Sequence, residues 1–384
     1  MDISTLKALF FSFLKLGITA FGGPAMIAHI KEMSVKRKAW LDEKTFNEGV
    51  ALCQSIPGAT AMQTAAYVGL KTGGTTGALA AYIGFGLPAF VLMLVLSALY
   101  IEHRSMPVVS AVFSGLQVIV VSIVAHAAYS FGRGSVKTIP GALIALVSSG
   151  LLMAGVSPFT VIAASATAGA LFLKLSSHQG AVADKSDGDK NSSKWSALPM
   201  LALMIMLLIL YLGHKEFFNL AVTMIKIDLF AFGGGFASLP LMLHEVVTVE
   251  GWMDSKTFMD GIALGQITPG PIVITAAFVG YVMYGIAGAA VATIAVFAPS
   301  LLILTASAPV FERFKISPFF QGAIKGILAS FAGLLLFVAL KFALAVPWDI
   351  IRVLFVVTTF IALLRKVDTL YIVLAGAILS LVLF

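Results

Sequence analysis

Cysteine occurs once in this 384-residue chain, at Cys53, so no disulfide can form within it and no thiolate cluster can hold a metal. The six histidines are scattered, without the short spacings of a metal site, and neither a metal nor another cofactor is expected. Charge is also scarce: 11% of residues are Asp, Glu, Lys or Arg, against roughly a quarter in soluble domains. No GxxxxGK[ST] loop is present, which argues against a nucleotide-driven pump. The net charge of +7 comes without a basic patch interleaved with stacking aromatics, so no nucleic-acid partner is expected. The Lys and Arg read instead as loop residues that set membrane topology.

What the chain has in abundance is apolar sequence, 59% of it, in runs such as Leu87 to Tyr100 and Leu198 to Leu212. Such runs suit helices in a lipid bilayer, where every backbone polar group must be satisfied within its own segment. The fold class is therefore an all-α integral membrane protein. The apolar N-terminus is not a signal peptide: Lys15 interrupts it, Ile18 does not suit cleavage after Ala20, and the segment has a counterpart later in the chain.

That counterpart belongs to a duplication. Trp40 to Gly58, WLDEKTFNEGVALCQSIPG, returns as Trp252 to Gly270, WMDSKTFMDGIALGQITPG, identical at eleven of nineteen positions. Ala20-Phe21-Gly22-Gly23 returns as Ala231-Phe232-Gly233-Gly234, and Pro88 and Pro107 return as Pro299 and Pro318. The predicted organisation is a first repeat over 1–175, a polar linker plus an unmatched hydrophobic helix over 176–216, and a second repeat over 217–384. Function is expected where the repeats meet.

Spans are predicted at Thr5 to Phe21, Thr75 to Tyr100, Val108 to Phe131, Ile139 to Met153 and Phe159 to Leu175. A short helix is predicted to start at Pro24, after Gly22-Gly23 releases the backbone. Thr45 to Lys71 is cut by Ile56-Pro57-Gly58 into two half-helices, which either cross once as a broken helix or turn back as a re-entrant hairpin. Ser176 to Lys194 is a Ser-, Gly-, Asp- and Lys-rich linker. After the first double glycine the chain carries Lys31, Lys36, Arg37, Lys38 and Lys44; the matching stretch carries Glu245, Glu250 and Asp254 against Lys256. If positive loops stay inside, the two repeats are inverted. Ten crossings follow with re-entrant segments and thirteen with broken helices that cross.

The functional candidates come in pairs. The breaks at Gly22-Gly23-Pro24 and Gly233-Gly234-Gly235, and at Pro57-Gly58 and Pro269-Gly270-Pro271, start new helices whose free amides and partial positive charge suit an oxyanion. Gln54, Gln266 and Thr268 lie beside them. Lys15 and Lys226 each stand seven residues before a double glycine, as anion contacts or as snorkelling lysines. The bland alternative for the breaks is that Gly and Pro merely kink or pack membrane helices. Glu48 and Asp260 occupy matched positions, either as helix N-terminal complements or as carboxylates that couple transport to a proton gradient. Asp228, where the first repeat has Gly17, could pair with Lys226. Trp40 and Trp252 read as interfacial anchors.

At Phe21-Gly22-Gly23-Pro24, Gln54-Ser55-Ile56-Pro57-Gly58, Phe232-Gly233-Gly234-Gly235 and Gln266-Ile267-Thr268-Pro269-Gly270-Pro271 the chain resembles the chromate ion transporters in their long, two-domain form. The second glycine motif departs from that pattern, with Gly235 in place of proline. The resemblance implies a multi-pass protein of a prokaryotic inner membrane with antiparallel halves, exporting chromate, with sulfate as mimic or counter-ion and the proton motive force as drive. A homodimer is compatible with it. An intramembrane enzyme would need clustered His, Asp or Glu in its spans, and a non-transporting partner subunit would not need duplicated broken helices.

Overall fold

The computed structural model describes residues 3–21, 23–173, 197–308 and 317–384. Gly22 and the predicted linker lie outside the described residues. Among the described residues the regular structure is helical, apart from one isolated bridge between Pro57 and Phe232. In chain order the helices are α1 (Ile3–Thr19), α2 (Gly23–Lys31), α3 (Glu43–Ser55), α4 (Thr60–His103), α5 (Pro107–Ser135), α6 (Ile139–Met153), α7 (Pro158–Phe172) and α8 (Ala197–Gly213). Then follow α9 (Lys215–Phe230), α10 (Ser238–Met242), α11 (Ser255–Ile267), α12 (Thr275–Ser307), α13 (Pro318–Ala345), α14 (Ile350–Leu364) and α15 (Thr369–Leu383). Four segments, Thr60–His103, Pro107–Ser135, Ile272–Ser307 and Pro318–Ala345, are long and apolar enough to cross a membrane, and shorter apolar helices accompany them. This is a membrane protein.

Local chemistry explains where these helices begin. Asp42 caps α3 by accepting the Thr45 amide at 2.7 Å, and its counterpart Asp254 accepts the Thr257 amide at 2.7 Å. The amide and hydroxyl of Thr45 hold the Asp42 carboxyl below the usual carboxylate range. Proline opens α5, α6, α7 and α13, where its missing N–H costs nothing. Before each cap the chain closes a wide turn, with the Trp40 amide bonded to the Ser34 carbonyl and the Trp252 amide to that of Val246. The residue before each tryptophan is left-handed, Ala39 at φ 49° and Gly251 at φ 62°. Trp40 is half-buried and stacks on Phe13, with ring centroids 6.4 Å apart.

The chain forms two compact units, each drawing on both repeats: one from Met1–Ala98, Asp184–Ser238 and Thr268–Glu312, the other from Leu99–Ala183, Leu239–Ile267 and Arg313–Phe384. In the first unit α1 lies against the long arm of α4, so close that a Cβ on Gly17 would fall 2.4 Å from the Phe85 carbonyl oxygen. Helix α9 packs on α12. Both α4 and α12 are hairpins. Gly73 and Gly74 leave helical geometry in the first, Tyr284 and Gly285 in the second. A Cβ on Gly69 would sit 2.2 Å from the Gly77 oxygen, and one on Gly280 2.2 Å from the Gly288 oxygen.

The arms on either side of Pro57-Gly58 also lie side by side. A Cβ on Gly49 would meet the Tyr67 ring at 2.2 Å, whereas a continuous rod would hold these residues roughly 27 Å apart. Of the two sequence alternatives for this segment, the first repeat takes the hairpin that turns back.

The second unit is built around α13, which packs on α5, α6 and α7. Glycines permit the approach: a Cβ on Gly326 would lie 2.1 Å from the Ser165 oxygen and 2.7 Å from the Gly169 Cα. Glu245 differs from its expected place in an exposed acidic loop. A π-helical turn over Leu243–Val249 carries it inward, where it is buried with His244 Nε2 3.9 Å away.

Candidate functional site

In the first unit the breaks of the two repeats cross. The Gly58 amide donates to the Ala231 carbonyl at 2.8 Å, and the Gly270 amide donates to the Ala20 carbonyl at 3.1 Å. The second break of each repeat is thus tied to the first break of the other. Gly58 and Gly270 stand at φ 115° and 110°, and Gly233 and Gly234 at 92° and 103°, conformations that L side chains rarely adopt. Space is short there too: a Cβ on Gly58 would fall 2.3 Å from the Ser300 Cβ, and one on Gly270 3.0 Å from the Ala89 Cβ. Ala89 and Ser300 are themselves matched positions, so the contacts are reciprocal as well.

This geometry qualifies the expectation of free amides. Those of Gly58 and Gly270 are spent on holding the crossing together. Further backbone donors include the first amides of α2, from Gly23, and of α4, from Thr60, which lack partners within their own helices.

Buried polar side chains surround the crossing. Gln63, fully buried, donates through Nε2 to the Pro57 carbonyl, while its Oε1 has no hydrogen-bond partner. Asp228, 1% exposed, accepts the Ser300 amide on Oδ2 at 2.8 Å, and its Oδ1 has no partner. Tyr82 donates to the Phe297 carbonyl at 2.8 Å and lies 3.0 Å from the Ser300 hydroxyl. The Ser300 amide is thus a partner that Asp228 finds. A groove of about 400 Å³ runs beside the crossing, lined by Met62, Tyr82, Gly86, Phe297 and other mostly apolar groups. Such walls would not solvate a dianion.

The other candidates are dispersed. Pro57 and Thr268 are buried at the breaks, and Gly23 opens α2. Lys15 is exposed on α1, Lys226 half-buried on α9, and Gln54 exposed near the end of α3. Gln266, in the second unit, is half-buried with an Nε2 that has no partner.

Glu48 and Asp260 have different surroundings despite their matched positions. Glu48 is half-buried, whereas Asp260 is buried in the second unit. There it accepts the Tyr100 hydroxyl on Oδ2 and the Gln117 amide on Oδ1, both at 2.8 Å. Neither donor stands out in the sequence, because a single tyrosine or glutamine in an apolar helix carries no pattern.

A family model described as Chromate transporter matches residues 7–170 and 218–381, both repeats of the duplication. The chain belongs to the chromate transporter family. This chromate transporter homologue is 44% identical over 373 residues to an uncharacterized transporter of Methanocaldococcus jannaschii, covering 97% of this chain and 93% of the relative. It is 30% identical over 338 residues to a chromate transport protein of Cupriavidus metallidurans, covering 86% and 80%. A protein of that same name from Pseudomonas aeruginosa is 30% identical over 335 residues, covering 83% and 77%. No solved structure matches the chain. The family is one of transporters, not enzymes.

Proposed function

We propose that this chain is a secondary active transporter of tetrahedral oxyanions, with chromate export as its activity and sulfate as mimic or counter-ion. The observation that carries the reading is the reciprocal crossing of Gly58 on Ala231 and Gly270 on Ala20 within one compact unit. A transporter built from two repeats places its substrate where their discontinuous helices meet. Relatives named chromate transport proteins support chromate as the anion. Chromate and sulfate are dianions of similar size and shape, so backbone amides alone discriminate weakly between them.

In this reading the first-turn amides at Gly23 and Thr60, with Thr268 and Gln54 nearby in sequence, receive the anion as the breaks part. Lys15 and Lys226 lower the barrier to its entry. The halves are inverted, which the basic loop of the first repeat favours. The proton gradient or anion exchange supplies the drive, with Glu48 and Asp260 as coupling carboxylates. The protein works in a prokaryotic plasma membrane, with no cofactor, as a monomer or homodimer.

The test is uptake of labelled chromate and sulfate into vesicles holding the purified protein, with and without a pH gradient. Saturable uptake of either anion, weakened in the Lys15→Ala, Lys226→Ala double variant, is expected. Uptake equal to that of empty vesicles would overturn the reading in favour of a partner subunit.

A further inference from the structure

Asp228 and Gln63 present two buried acceptor oxygens without hydrogen-bond partners, Asp228 Oδ1 and Gln63 Oε1, on side chains that are 1% and 0% exposed. Both side chains border Ser300. The Asp228 carboxylate holds its amide, and the place a Cβ would take on Gly58 lies 2.3 Å from the Ser300 Cβ and 2.9 Å from Gln63 Nε2. Of the nearby donors, Tyr82 gives its proton to the Phe297 carbonyl, and Gln63 Nε2 gives one of its two to the Pro57 carbonyl.

The titratable groups facing Asp228 are few. From α4 comes the Tyr82 phenol, with the Cys53 thiol of α3 beyond it; α12 contributes Ser300. Lys226, on the same helix, stands two residues away and so roughly 200° around the axis. None of the salt bridges among the described residues involves Asp228. A buried carboxylate without a counter-charge is completed by a cation.

We propose that Asp228, with Gln63 near the same Ser300, is a binding site for a small monovalent cation, H⁺ or Na⁺, that is filled when an anion occupies the adjoining helix breaks. The proposal rests on the transporter reading above and adds Asp228 to the coupling carboxylates named there. The bare carboxylate repels a dianion arriving at the crossing, and the neutralised one does not, so anion and cation occupy the protein together. Asp260 differs in that both of its oxygens already have neutral donors.

The test uses the full chain in detergent and in vesicles. Infrared difference spectra taken between high and low pH are expected to show a protonated-carboxyl band that Asp228→Asn removes and Asp260→Asn keeps. If Na⁺ is the ligand, Na⁺ titration at constant pH raises the melting temperature of the native protein and not that of Asp228→Asn. Gln63→Leu, which retains the carboxylate, requires roughly tenfold more of whichever cation binds. In vesicles the oxyanion movement of Asp228→Asn loses its dependence on the cation gradient.

If Asp228→Asn does not fold, the native spectra and Gln63→Leu decide the matter. Responses to pH and Na⁺ that neither substitution changes would overturn the proposal and leave Oδ1 to a buried water. If the native protein moves no oxyanion at all, the transporter reading fails, while spectra and melting still report on the cation site.

Discussion

The amide of Gly58 donates to the carbonyl of Ala231 at 2.8 Å, joining residues 173 positions apart, and Gly270 repeats the bond with Ala20. A tie across a duplicated pair of helix breaks serves two ends. It satisfies backbone groups that would be costly to bury unpaired, and it makes the breaks of one repeat depend on those of the other.

The two glycines should not be equally sensitive. Gly58→Ala adds a Cβ at φ 115° into the Ser300 Cβ at 2.3 Å, whereas Gly270→Ala meets the Ala89 Cβ at 3.0 Å. Both should lower the melting temperature in detergent, each by about 1–3 kcal/mol of strain, with Gly58→Ala the worse. Ser300→Gly should recover part of the Gly58→Ala loss and none of the Gly270→Ala loss. Equal losses would contradict the packing described.

Ala39 holds a left-handed conformation that its counterpart Gly251 adopts without strain. Ala39→Gly should leave stability unchanged or raise it by up to about 1 kcal/mol, since relief of left-handed strain exceeds the added freedom of the unfolded chain. Gly251→Ala should cost about 1–2 kcal/mol. Thermal melting of the two variants checks the contrast in sign.

At Asp260, Tyr100→Phe and Gln117→Leu each leave one carboxylate oxygen without its donor. Each should destabilise by about 1–3 kcal/mol. Because both act through one carboxylate, their effects in Asp260→Asn should differ from those in the native background by more than about 0.5 kcal/mol. Strict additivity in the thermodynamic cycle would show that the three side chains do not act as a unit.

In the second unit Gly326 faces Gly169 backbone to backbone. Gly326→Leu has no flexible side chain to push aside, only the Ser165 carbonyl at 2.1 Å, and should abolish the folded protein in a fluorescence-detected sizing assay. Gly134→Leu, at a position where a Cβ meets nothing, should be tolerated.

Much of this was legible residue by residue. Hydropathy marked α5, α6, α7 and α8 nearly to their ends, because a membrane helix must be continuously apolar and satisfies its backbone locally. Duplication exposed the breaks at Pro57-Gly58 and Pro269-Gly270, since two matched Gly and Pro motifs at constant offset are hard to mistake. Asp228 was visible as a charge in a span. Its partner was not, because Ser300 lies 72 residues away and offers only a backbone amide.

Local chemistry, then, dictates the helices, the caps and the places where the chain must bend, since each depends on neighbours within a turn or two. The crossing partners, the folded-back arms at Gly49 and Tyr67, and the burial of Asp228 and Asp260 depend on which distant segments pack together. That choice is made by close backbone approach and by pairing of polar groups across the fold, and neither leaves a periodic trace along the chain.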